Sequence, residues 1–197
     1  MSEPAAALRA RNLRTLALLA ALFLLPLVLA FFTYYGSSWR PAGSVNHGVL
    51  IQPPRPLPAF EPAPGTSAPA AAPFRGQWSL VYVGDGACEA ACRATLYVMR
   101  QTRLALNNDM TRVARVFLVT AHCCAPELAQ EHAGLVVLDA QGAPAAPLLQ
   151  QFPSQQREHT LFVVDPLGNL MMSYDARQNP RGLLEDLKKL LRLSHIG

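Results

Sequence analysis

The chain has 197 residues, 51% of them hydrophobic, with a net charge of +4 and four cysteines. That length suits one globular domain plus extensions. The positive charge is scattered, with no basic stripe interleaved with aromatics, which argues against nucleic acid as a partner. No Ser/His/Asp pattern, phosphate loop or paired-carboxylate signature is present.

In chain order, the first fourteen residues carry Arg9, Arg11 and Arg14. Residues 15–39 then contain no charged side chain. Residues 15–35 alone would make a helix of about 31 Å, enough to cross the hydrocarbon core of a bilayer. Phe31, Phe32, Tyr34, Tyr35 and Trp39 gather at the far end as an aromatic belt, and the arginines gather at the near end. The expectation is a cytoplasmic tail at 1–14 and a transmembrane helix at 15–37, with everything beyond it exported. Pro26 is tolerable inside such a helix. A signal peptide cleaved after Val28-Leu29-Ala30 is the rival reading, and the bulky aromatics that follow disfavour it.

Residues 38–73 are rich in Pro and Ala and read as an extended, semi-rigid linker that gives a tethered domain reach. Residues 74–197 read as the globular domain. Residues 78–84 form a buried strand, 87–106 a helix, 113–120 a second buried strand, 126–132 a short helix and 135–139 a third strand. Residues 145–152 give another helical turn. Residues 160–165 and 170–174 form a hairpin around Pro166-Leu167-Gly168-Asn169. Residues 181–193 close the domain as an amphipathic helix, whose Arg181, Lys188, Lys189 and Arg192 read as a solvated face.

This order is the thioredoxin pattern, an α/β class. The first two strands should be parallel with a right-handed crossover. The first hairpin strand should lie antiparallel beside the 78–84 strand. The ends of the 78–84 and 113–120 strands then share one sheet edge with the start of the hairpin, and ligands of open α/β sheets bind at such an edge.

The chemistry-bearing residues fall there. Cys88 and Cys92 begin the first helix, four residues apart on one face. A helix N-terminus favours thiolate, and thiolates with an imidazole suit Cu(I). The same pair can close a disulfide and exchange electrons, or be a purely structural bridge, although so short a loop adds little stability. His159 immediately precedes the hairpin. His122, Cys123 and Cys124 follow the second strand. They read either as a second soft site or resolving thiols, or as small residues packed at a strand end. Adjacent thiols point to different sides of extended chain, so both should not face one metal. Met171 and Met172 read mainly as core and surface. His47, His132 and His195 have no evident partners. Asp85 and Glu89 read as ordinary turn acids that could tune the nearby thiols.

The stretch from Trp78 to Cys92, with Glu158-His159-Thr160-Leu161-Phe162-Val163-Val164-Asp165-Pro166-Leu167-Gly168, resembles the Sco/SenC family of membrane-tethered, thioredoxin-like copper chaperones for cytochrome c oxidase assembly. The resemblance implies Cys88, Cys92 and His159 as ligands of one copper ion, with His122, Cys123 and Cys124 as auxiliary candidates. It implies an oxidase subunit or its assembly factors as partner. It also implies a bacterial inner-membrane location, the N-terminus cytoplasmic and the domain periplasmic. A carrier rather than an enzyme is expected, with thiol–disulfide exchange the catalytic activity left open. The chain departs from the family pattern in having Glu89 and Arg93 where Pro is usual, a shorter stretch between Cys92 and His159, and His122-Cys123-Cys124 in place of an acidic loop. A reductase that keeps a client's copper-site cysteines reduced, and an assembly factor with neither metal nor redox turnover, are the competing functions.

Overall fold

The computed structural model describes residues 3–36, 45–60, 73–123, 126–155, 157–194 and 196. The chain divides into two units, Met1–Ser44 and Val45–Gly197. In the first, helix α1 (Glu3–Gly36) runs for 34 residues with Pro26 inside it. Its segment Arg9–Gly36, 28 residues with none buried, is long and apolar enough to cross a membrane. At 1.5 Å per residue it extends about 42 Å, against a hydrocarbon core of about 30 Å. The arginines expected in a separate tail share this helix, and Trp39 lies outside the described residues.

The second unit is built on six strands: β1 (Val49–Pro56), β2 (Trp78–Asp85), β3 (Val113–Ala121), β4 (Leu135–Asp139), β5 (Thr160–Val164) and β6 (Asn169–Asp175). Their order in the sheet is β1-β6-β5-β2-β3-β4. Strands β2, β3 and β4 are mutually parallel, and β5 lies antiparallel beside β2, as expected for a thioredoxin-like sheet. The helices are α2 (Ala90–Leu104), α3 (Pro126–Glu131), α4 (Ala146–Leu149) and α5 (Pro180–Leu193).

Both faces of the sheet are covered, which is why β2 and β3 read as continuous apolar runs rather than alternating ones. Alternate residues of β2 enter opposite cores. Leu80 and Tyr82 pack with Leu96 and Met99 of α2 and Leu183, Leu187 and Leu191 of α5. Val81 and Val83 pack with Leu148, Phe152, Phe162, Leu57 and Phe74. Helix α2 buries Cys92, Thr95, Leu96, Met99 and Thr102, the spacing of one helical stripe. Helix α5 starts where the Asn179 side chain accepts from the Gly182 amide, with Pro180 in its first turn.

The stretch expected as linker, 38–73, is not linker throughout. Residues 49–56 form edge strand β1, antiparallel to β6 with Leu50 opposite Met172 and Arg55 opposite Leu170. Pro53, Pro54 and Pro56 suit an edge, because they lack the amide that a central strand must donate. The segment is fastened at both ends. The buried Asp186 carboxylate accepts from the His47 amide (2.7 Å), the Gly48 amide (3.2 Å) and the Tyr174 hydroxyl. A Cβ on Gly48 would overlap the Tyr174 ring, so the close approach of chain and ring here suits glycine. At the other end Leu57 is buried and its amide donates to Gly168 O (2.8 Å). The chain re-enters at buried Phe74, with the Gly76 amide donating to Pro166 O (2.9 Å). Residues 61–72, outside the described residues, therefore connect two segments that both dock at the 165–169 turn.

Candidate functional site

The site forms where β2 ends. The Asp85 carboxylate accepts from the Ala87 amide (2.9 Å) and the Asp85 carbonyl from the Cys88 amide (3.2 Å), an Asx-type turn. This turn delays the helix. Cys88, expected on the first helix, stands before it with φ +43°, and α2 begins only at Ala90. Cys92 lies in the first turn of α2. The two cysteines are joined as a disulfide with their Cα atoms 5.0 Å apart, and both are buried. No side chain caps α2 at Glu89, and its first turn holds no acid. Its free amides and dipole would stabilise thiolate once the bond is reduced.

Beside the disulfide lies a cleft of about 420 Å³, lined by Tyr82, Glu89 and Thr120 as well as Cys88, Cys92 and the turn residues Arg157 and Glu158. That turn, the 3-10 segment Arg157–His159, precedes β5. Three successive residues fasten it. The Arg157 guanidinium donates to the carbonyls of Leu149 (3.0 Å), Phe152 (2.6 Å) and Pro153 (2.8 Å). Glu158 O accepts from Tyr82 Oη (3.3 Å) and Thr95 Oγ1 (3.1 Å). His159 O accepts from the Ala176 amide (2.7 Å). Burial, then the Glu158 charge, pushes the Tyr82 hydroxyl up to about 12, so it remains a donor.

His159 is half-buried and is not among the residues lining the cleft. The Asp175 carboxyl nearby is held down, at about 2, chiefly by the Arg177 side-chain hydrogen bond, with a smaller electrostatic contribution from His159. The structure thus brings Cys88, Cys92 and the His159 turn to one edge without gathering imidazole and sulfurs into a cage. Among the described residues, no group of three or more His, Cys, Asp and Glu side chains stands ready to hold a metal. The donor chemistry nonetheless fits Cu(I), two soft thiolates and an imidazole, provided the disulfide is reduced first.

His122 follows β3 with φ +50°, and its Nδ1 lies 2.9 Å from both Asp85 carboxylate oxygens. The Asp85 carboxyl is held below its ordinary range by the Ala87 amide first and by His122 next. The His122 side chain is 73% exposed and does not line the cleft. Cys123 is half-buried against the core around α2 and is not a free thiol. Cys124 lies outside the described residues. Sequence reasoning named Asp85 but not its pairing with His122, and it passed over Tyr82, Thr95 and Arg157. Apolar patterning marks Tyr82 and Thr95 only as core, and nothing local shows which carbonyls Arg157 reaches.

The fold is similar to that of known proteins. Thermus thermophilus apo Sco1 superposes with a TM-score of 0.52 at 22% identity, covering 76% of this chain and 99% of that one. Yeast Sco1 with copper bound superposes with a TM-score of 0.51 at 13% identity, covering 62% and 82%. At such identities the likeness establishes the shared fold. No curated protein sequence matches the chain. A family described as transmembrane-like, thioredoxin-like, C-terminal domain matches residues 78–194, more than half of the chain, and the chain belongs to that family.

Proposed function

We propose that this chain is a copper metallochaperone anchored in the bacterial inner membrane by α1, its domain in the periplasm, that assists cytochrome c oxidase assembly. It carries one copper ion on Cys88, Cys92 and His159. The observation that carries the reading is the cysteine pair at the uncapped start of α2, sharing its cleft with the turn that bears His159. The copper-bound state of yeast Sco1, a protein of the same fold, supports it.

In this reading the disulfide is first opened by a dithiol donor. Two electrons and two protons pass to the pair, and the donor leaves as a disulfide. The α2 amides then hold the sulfurs as thiolates. Two thiolates and the His159 imidazole receive Cu(I), the Tyr82 and Thr95 hydroxyls lying against the Glu158 carbonyl of that turn. An oxidase subunit or its assembly factor takes the ion onward. Asp85 and His122 hold the ends of β2 and β3 together over the Cys88 turn. His122, Cys123 and Cys124 remain auxiliary candidates.

A second reading is a thiol-disulfide reductase acting on the cysteines of an oxidase subunit. The position of His159 off the cleft favours it, since exchange at Cys88 and Cys92 needs no third donor. Cytochrome oxidase activity in cells separates the two. A chaperone fails with Cys88→Ser, Cys92→Ser or His159→Ala. A reductase fails with the cysteine variants alone, and a scaffold without metal or redox turnover tolerates all three.

A further inference from the structure

The polar contacts around His159 converge on its backbone. The Glu158 carbonyl and the His159 amide belong to one planar peptide unit, so whatever fixes Glu158 O fixes the peptide plane entering His159. Two hydroxyls lie within hydrogen-bond distance of that oxygen, Tyr82 Oη from β2 (3.3 Å) and Thr95 Oγ1 from α2 (3.1 Å), the single Thr95 proton being divided between Glu158 O and Ala91 O (2.9 Å). The plane leaving His159 is fixed as well, because His159 O accepts from the Ala176 amide after β6. The Cα of His159 therefore sits between two anchored planes, and rotation about its side-chain bonds is the freedom left to the imidazole.

The two hydroxyls come from the elements that flank the cysteines. Thr95 is three residues beyond Cys92 on the same buried stripe of α2, 1% exposed, and its hydroxyl also lies 2.9 Å from Ala91 O. Tyr82, 2% exposed, is three residues before Asp85 on β2, and its ring passes so close to Gly84 that a Cβ there would lie 2.9 Å from it. Both side chains are buried, and Tyr82 packs against Phe117 in the core as well as lining the cleft.

We propose that Tyr82 and Thr95 are positioning residues that hold the His159 turn in register with the Cys88–Cys92 pair, so that the imidazole serves as the third copper donor. The inference rests on the copper reading above. A donor on a backbone already fixed loses less freedom on binding than one on a loose loop, and that difference appears as affinity.

The test uses the full chain in detergent, reduced anaerobically and loaded with Cu(I). Affinity is read by competition with a chromophoric chelator, and imidazole coordination by X-ray absorption at the copper edge. The Tyr82→Phe, Thr95→Val double variant should bind about tenfold more weakly, the scale of one net hydrogen bond, with a diminished imidazole contribution. Thr95→Ser, which keeps the hydroxyl, should match the parent in both readouts. Tyr82→Phe and Thr95→Val singly should each give part of the loss, which keeps the test decisive if the double variant does not fold. A double variant with parental affinity and parental imidazole scattering overturns the inference alone. A parent that shows no imidazole on copper overturns the copper reading, and this inference with it.

Discussion

Replacing Asp186 with Ala removes the acceptor on which the start of the domain is hung. Asp186 is 5% exposed and accepts from two backbone amides and the Tyr174 hydroxyl. Hydrogen bonds to a charged group are each worth about 1.5–3 kcal/mol, and a donor left buried without a partner costs a similar amount. The three do not simply add, because the His47 and Gly48 amides can reach water once β1 peels from the edge. The expected loss is therefore about 3–5 kcal/mol, with the Tyr174 hydroxyl left only its longer contact to Gly182 O (3.3 Å). For a unit of this size that lowers Tm by about 10 °C. Glu185→Ala is the control. It breaks only the His47–Glu185 pair, 3.0 Å apart with side chains 42% and 55% exposed, and should change stability by no more than about 1 kcal/mol. Thermal unfolding followed by circular dichroism gives both numbers, and amide exchange at Gly48 reports whether β1 has detached. If Asp186→Ala shifts Tm no further than Glu185→Ala, the docking of 45–57 contributes little and the reasoning fails.

Other outcomes follow from the same structure. Gly48→Ala should lower stability by about 1–3 kcal/mol, since the new methyl overlaps the Tyr174 ring, and a neutral result in urea titration would contradict that packing. A chain beginning at residue 45 should unfold cooperatively, whereas one beginning at residue 73 should be measurably less stable, because it lacks β1 and Leu57. Stability should fall with acid between about pH 4 and pH 2, as Asp175, lowered to about 2 from 3.8 chiefly by Arg177, takes up its proton later than in the unfolded chain. It should also fall as pH rises from 10 towards 12, because Tyr82, raised to about 12 by burial, ionises earlier in the unfolded chain. Tyr82→Phe should remove its share of that alkaline limb in the same denaturation series, leaving the part due to Tyr174, whose hydroxyl is also pushed up by burial and then by Asp186. A reporter fused after Gly197 should be active only if it works outside the cytoplasm, and activity of a cytoplasm-only reporter there would reverse the proposed topology.

The sequence was most legible where one local rule governs. The continuous apolar runs of β2 and β3, the hairpin at 165–169 and the stripe of α5 follow from periodicity and turn chemistry; the parallel pairing of β2 with β3 followed from the crossover rule, and the place of β5 beside β2 from the thioredoxin pattern. Strand β1 was hidden by its own prolines, whose composition matches a linker and whose place at a sheet edge is decided by tertiary contacts with β6 and Asp186. The position of Cys88 was misjudged by two residues of helix, because the Asx turn at Asp85 competes with helix initiation. The placement of Cys88, Cys92 and the His159 turn at one sheet edge could be read from the strand order. Their fastening could not, because Tyr82 and Thr95 lie 76 and 63 residues from the carbonyl they hold.

The most direct test of the central claim is the Cu(I) dissociation constant of the reduced full chain and its three ligand variants, measured anaerobically by chelator competition with metal analysis alongside. The account predicts one copper per parent chain, loss of that copper in Cys88→Ser and Cys92→Ser, and a markedly weaker constant in His159→Ala. A His159→Ala chain that binds Cu(I) as tightly as the parent would contradict it.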